Sequence, residues 1–141
     1  MAHDRFRRFN TSGRWPGQSI DYEVSLAVGA TGRNLFLGGL TGFDLEGRFH
    51  GKGDPAAQAD QAMKNLKVLI EEAGGKIEHV CKITTYLLDR AYREPVYNTV
   101  ARHLRGIAPC GTGLIVSGLA MADMLVEFDV EVVLPVVLPS S

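Results

Sequence analysis

The chain is predicted to fold as an α+β layer sandwich, with one mixed β-sheet carrying two helices on one face. Three observations predict it. Two segments have apolar residues at helical spacing, the period switches to two at Val80, and Val126, Phe128, Val130 and Val132 alternate with Glu127, Asp129 and Glu131. The resulting order is β-β-α-β-α-β-β. A length of 141 residues suits one domain able to close its own core. Residues 21–135 are expected to form it, with a flexible lead-in over 1–20 and a flexible tail over 136–141.

Glu23–Val28, the turn-rich 29–34 and Leu35-Phe36-Leu37 read in order as a hairpin. Three glycines in Gly38-Gly39-Leu40-Thr41-Gly42 mark either a plain bend or a place where a ligand or another backbone comes close. Asp54 is a suitable N-cap, Pro55 suits the first helical position, and Gly74-Gly75 is a stop. Between them Ala59, Met63, Leu66, Leu69, Ile70 and Ala73 form one core-facing stripe. From Val80 to Leu88, Cys81, Ile83, Thr85 and Leu87 are expected on one face. Lys82, Thr84, Tyr86 and Leu88 fall on the other. A second helix is expected over Glu94–Leu104, stopped by Gly106, followed by strands at Leu114–Val116 and Leu125–Leu134.

Composition excludes several classes of function. The net charge of −1 gives no basic surface for nucleic acid. No stretch approaches the roughly 18 apolar residues of a membrane span. Cys81 and Cys110 make no disulfide framework and fit reduced thiols in a cytoplasmic protein. His3, His50, His79 and His103 are scattered, so no metal site is expected. The acidic row of the last strand, together with Tyr86 and Leu88, predicts a sheet whose second face is covered by another subunit.

These patterns resemble the RidA/YjgF family, the reactive intermediate deaminases, over Val24 to Leu134. The resemblance rests on Leu35-Phe36-Leu37-Gly38-Gly39, on Gln58 to Gly74, and on Val80 to Leu87 with Asp89. Tyr97-Asn98-Thr99-Val100 and Val126-Glu127-Phe128-Asp129 complete the ordered set. It implies a chorismate-mutase-like fold and a homotrimer with clefts between subunits. It also implies hydrolysis of small imines or enamines with no metal or organic cofactor. Glu127 takes the place of the family's water-positioning glutamate. Gly38, Tyr22, Asn98, Cys110, Gly111 and Thr112 fall at or beside substrate-binding positions.

One family feature is missing. The carboxylate-holding arginine follows a proline by two residues, and here the stretch reads Pro109-Cys110-Gly111-Thr112-Gly113. Gly111 or Thr112 stands in its place, depending on the direction of counting. A guanidinium binds a carboxylate about twice as strongly as a neutral donor does, so the substrate is not expected to be a standard amino-acid derivative. A Gly/Thr loop with free N–H groups would either cradle a polar group or be an ordinary turn. Arg33 and Arg105 are candidate replacement cations. Cys110 reads as a nucleophile or as a small packed residue. The alternative to catalysis is a non-catalytic, ligand-binding or chaperone-like trimer.

Overall fold

The computed structural model describes residues 3–136. Ten regular elements follow one another: β1 (Asp4–Phe6), β2 (Phe9–Asn10), β3 (Glu23–Val24), β4 (Ala27–Gly29), β5 (Gly32–Leu35), α1 (Pro55–Glu72), β6 (Val80–Leu87), α2 (Arg93–His103), β7 (Cys110–Ile115) and β8 (Val126–Pro135). The main sheet has the order β5-β8-β6-β7. β6 and β7 are parallel, and the other neighbours are antiparallel. It is the mixed sheet of an α+β fold, with both helices on one face.

Local chemistry explains the helices. Asp54 accepts a hydrogen bond from the Ala57 N–H at 3.1 Å, closing the N-terminus of α1. The chain leaves α1 just before Gly74-Gly75, as the sequence indicates. The expected stripe is the core face. Ala59, Met63, Leu66 and Ile70 are buried against Ile83, Leu87, Val126, Phe128 and Val130 of the sheet and Val96 and Val100 of α2. Burial of this apolar area is the main stabilising term.

Four expectations are corrected. The 1–20 segment is not a loose lead-in, because β1 pairs with β4 and β2 pairs with β3. Arg5 ties it further by donating to the carbonyls of Glu78 at 2.8 Å, Val80 at 2.9 Å and Ala108 at 3.2 Å. The hairpin between Glu23–Val28 and Leu35–Leu37 does not form. The first run is taken up by the N-terminal strands, and Gly32–Leu35 pairs with β8, where Leu35 gains an apolar neighbour row. The strand placed at Leu114–Val116 begins earlier, at Cys110, so Gly111–Gly113 is strand rather than loop. Cys81 leaves the face assigned to it. A register shift between Val80 and Lys82 adds one residue to β6, and Cys81 then lines a recess with Lys82 and Cys110. The tail expected over 136–141 lies, apart from Val136, outside the described residues.

The face of the sheet away from the helices is uncovered in the single chain. It presents Thr84, Tyr86, Thr112, Leu114, Glu127 and Asp129, and β7 is an unpaired edge with Leu114 and Ile115 exposed. No described helix is long and apolar enough to cross a membrane.

Candidate functional site

A cavity of about 530 Å³ opens between α2, the β6–β7 floor and the N-terminal segment. It exists because β7 carries almost no side-chain bulk there. Gly111 and Gly113 pair with Ile83 and Thr85; Gly111 leaves the space above it open, and Gly113 makes room for Tyr97. Glycine at 113 is required by its neighbour, since a methyl group would overlap the Tyr97 hydroxyl. Tyr97 and Val100 of α2 form one wall, and Phe9, Trp15 and Tyr22 form the other.

The N-terminal wall is held by polar contacts rather than by a regular element. Thr11 Oγ1 donates to the Ile20 carbonyl at 2.6 Å and accepts from the Tyr22 N–H at 3.1 Å. Glu94 on α2 accepts from the backbone and hydroxyl of Ser19 at 3.0 and 2.9 Å. The Ser19 N–H bond, foremost, holds the Glu94 carboxyl below its ordinary range. Asn98 accepts from the Asp21 N–H at 3.1 Å and donates to the Ser19 carbonyl at 3.3 Å. The Asn98 amide is therefore engaged by the 19–21 backbone. Ser25 extends the tie toward β7, donating to the Ala108 carbonyl at 2.6 Å.

Tyr22 and Tyr97 stack with centroids 6.4 Å apart. Burial pushes the Tyr22 hydroxyl well above its ordinary pKa, and Tyr97 and Cys110 add to it. Burial also raises Tyr97, with Arg93 opposing. Both phenols are thus neutral donors near neutrality.

Two cations that the sequence reading did not single out for this role line the cavity: Arg14 and Arg93. The Arg14 guanidinium lies 4.1 Å from the Phe9 ring centroid, and that of Arg93 lies 5.5 Å from both Trp15 and Tyr97. Arg33 and Arg105 do not line it. Arg33 is on β5, at the other edge of the sheet, and donates to the Ala73 carbonyl at 2.9 Å. Arg105 follows the end of α2, exposed.

The remaining expected residues lie elsewhere in the chain. Glu127 is half-buried on β8 opposite Tyr86, facing away from the helices. Its carboxylate lies against Gly39, where a methyl group would overlap it. Leu40 and Phe128 exchange backbone bonds of 2.9 Å and fix that approach. The glycine-rich step therefore brings backbone close to a carboxylate; Gly38 beside it is exposed and open. Cys110 directs its thiol at the Cys81 carbonyl, 3.4 Å away, and no histidine hydrogen-bonds it. Tyr22, Gly111 and Thr112 thus share the cavity, while Glu127, Gly38 and Cys110 stand outside it. Among the described residues, no three His, Cys, Asp or Glu side chains are grouped to hold a metal ion.

Comparison with known proteins places this arrangement. Residues 19–134 match the family model described as Endoribonuclease L-PSP. Protein DfrA of Myxococcus xanthus is 31% identical over 108 residues, covering 77% of this chain and 81% of that protein. A RutC family protein of Pyrococcus abyssi is 29% identical over 98 residues, covering 70% and 76%. Among solved structures, the Rid family protein YyfB of Yersinia pestis superposes with a TM-score of 0.77 at 24% identity, covering 95% of this chain and 100% of that one. RidA from an Antarctic Psychrobacter gives 0.66 at 26% identity, covering 78% and 87%. With the match spanning most of the domain, the chain belongs to the Endoribonuclease L-PSP family, which embraces the Rid, YjgF and RutC proteins.

Proposed function

We propose that this protein is a hydrolase of small imine or enamine compounds, working as a homotrimer whose clefts are each completed by two subunits. The observation that carries the reading is the separation of the parts. Glu127 stands on the uncovered sheet face, whereas the cavity lies over β6 and β7 on the helix side. Strand spacing alone puts β7 about 10 Å from β8. Only a second copy laid on the open face closes that gap with Glu127 facing a cavity. The exposed Leu114 and Ile115 and the unpaired β7 edge support such a contact.

In the assembled cleft the Glu127 carboxylate takes a proton from water as the oxygen attacks the imine carbon. It returns that proton to nitrogen, giving a carbinolamine; the carboxylate then carries the hydroxyl proton to the amine as the C–N bond breaks, and ammonia leaves behind a carbonyl product. An enamine enters after tautomerising to the imine. The neutral phenols of Tyr22 and Tyr97 supply donors for a polar substrate group. The family model's description and a net charge of −1 point in different directions on nuclease activity, and the charge favours a small-molecule substrate. The unpaired Cys81 and Cys110 support a reducing, cytoplasmic setting. One observation favours a non-catalytic binding trimer, namely Gly111 or Thr112, rather than a cation, at the family's arginine position.

The test is the decay of freshly generated 2-iminobutyrate and a panel of enamines, with wild type and Glu127→Gln. Acceleration lost in the variant, on the order of 10²-fold or more, is expected. No acceleration across the panel refutes the hydrolase. A mass near 15.3 kDa by light scattering refutes the trimer, which should weigh about three times that.

A further inference from the structure

We infer that the α2–β7 cavity takes a planar, ring-bearing carboxylate, its anion held by Arg93 and Arg14 in place of the arginine absent at Gly111 or Thr112. The inference rests on the hydrolase reading only for the reactive C–N group; the binding preference stands on the cavity itself.

Size is the first argument. A volume of about 530 Å³ lies within the roughly 300–1,000 Å³ of sites for drug-sized ligands, far more than a four-carbon imino acid fills. Lining is the second. Phe9, Trp15, Tyr22 and Tyr97 put four rings around the space, and the two strand glycines leave its floor flat. Aromatic walls favour an offset-stacked or edge-on ring over a compact aliphatic group.

Charge is the third. The Arg14 guanidinium lies against the Phe9 ring and that of Arg93 against the rings of Trp15 and Tyr97, where it also bears on the Tyr97 hydroxyl. Among the described residues neither is paired with a carboxylate; the ion pairs present are Arg8–Glu23, His50–Asp44, Lys64–Asp60 and His103–Asp60. A guanidinium can stack through its face and bind a carboxylate through its edge at the same time. The ligand that satisfies both walls is an aromatic ring carrying a carboxylate on a short arm. With glycine at 111, a carboxylate in this cavity is met from α2 and the N-terminal segment rather than from β7.

Trp15 is the sole tryptophan and lines the cavity, so its fluorescence reports occupancy directly. The full-length protein is titrated with 3-phenylpropionate, propionate and 3-phenylpropan-1-ol, excited at the red edge of tryptophan absorption, with calorimetry in parallel. Saturable binding of 3-phenylpropionate is expected, with the ringless acid and the neutral alcohol each at least about tenfold weaker. Arg93→Gln should cost about tenfold for the acid and leave the alcohol unchanged. Arg14→Gln, at an exposed position, should weaken the acid in the same direction. No saturable binding, equal binding of propionate, or unchanged affinity in both variants overturns the inference. Turnover of 2-iminobutyrate without 3-phenylpropionate binding refutes this inference alone. Binding without turnover refutes the hydrolase alone.

Discussion

Replacing Arg5 with alanine tests whether the N-terminal segment is part of the domain. The guanidinium donates to three backbone carbonyls, 73, 75 and 103 positions away in sequence. Hydrogen bonds to a charged group contribute about 1.5–3 kcal/mol each. Taking the low end for the two shorter bonds, because Arg5 is only half-buried, and about a third of it for the 3.2 Å bond gives about 3.5 kcal/mol. Alanine releases up to about 2 kcal/mol of arginine rotamer entropy to the chain. The net loss is therefore about 1.5 kcal/mol, in which the hydrogen bonds outweigh the entropy. Urea denaturation at fixed protein concentration measures it, since assembly makes apparent stability concentration-dependent. Arg5→Lys keeps the charge and loses the fork, so it should recover less than half of the loss. A change under about 0.5 kcal/mol for Arg5→Ala, the range of an ordinary surface substitution, or full recovery by lysine, would refute the role assigned to this residue.

Two further perturbations have definite outcomes. Gln58 is fully buried; it donates to the Gly51 and Asp123 carbonyls at 2.9 and 3.0 Å and accepts from the Leu125 N–H at 2.9 Å. Gln58→Leu strands these groups, two of them just ahead of β8 and the Gly51 carbonyl ahead of α1, and should cost about 3 kcal/mol in urea denaturation; a loss below about 1 kcal/mol would contradict the buried-polar argument. The Asp44 carboxyl is held down to about 2, first by the Arg48 N–H and then by His50. A depressed carboxyl pKa stabilises the fold above the unfolded value of about 3.9. That contribution is lost as pH falls through the folded value, so the 44–50 turn should loosen between about pH 4 and about pH 2. Side-chain carboxyl NMR of Asp44 should titrate in the acid range, and an ordinary midpoint would refute the assignment.

Legibility followed the range of the interactions. α1 was readable to its ends because its cap, its proline and its stop lie within one segment. β8 was readable because its alternation is strict. Glu127 came from the resemblance, and the proximity of Gly39 gives that position a geometric content that spacing alone lacked. β1 and β2 escaped because Asp4–Phe6 and Phe9–Asn10 are too short and polar to show a period. Arg14 and Arg93 escaped for a related reason: a lone arginine has no pattern, and these two are 79 positions apart. Cys81 was assigned to the wrong face because one extra residue in β6 inverts a period-two argument.

The sequence by itself determined the α+β class, both helices, the two central strands and the family, since each rests on caps and periods written along contiguous residues. It also established that no cation stands at Gly111 or Thr112. Tertiary structure alone decided that Arg14 and Arg93 line one cavity with those residues, and that Glu127 lies on the sheet face away from the helices, outside that cavity. Such placements depend on pairings between segments far apart in the chain, and in a sheet each is set by a register that a single bulge residue can change.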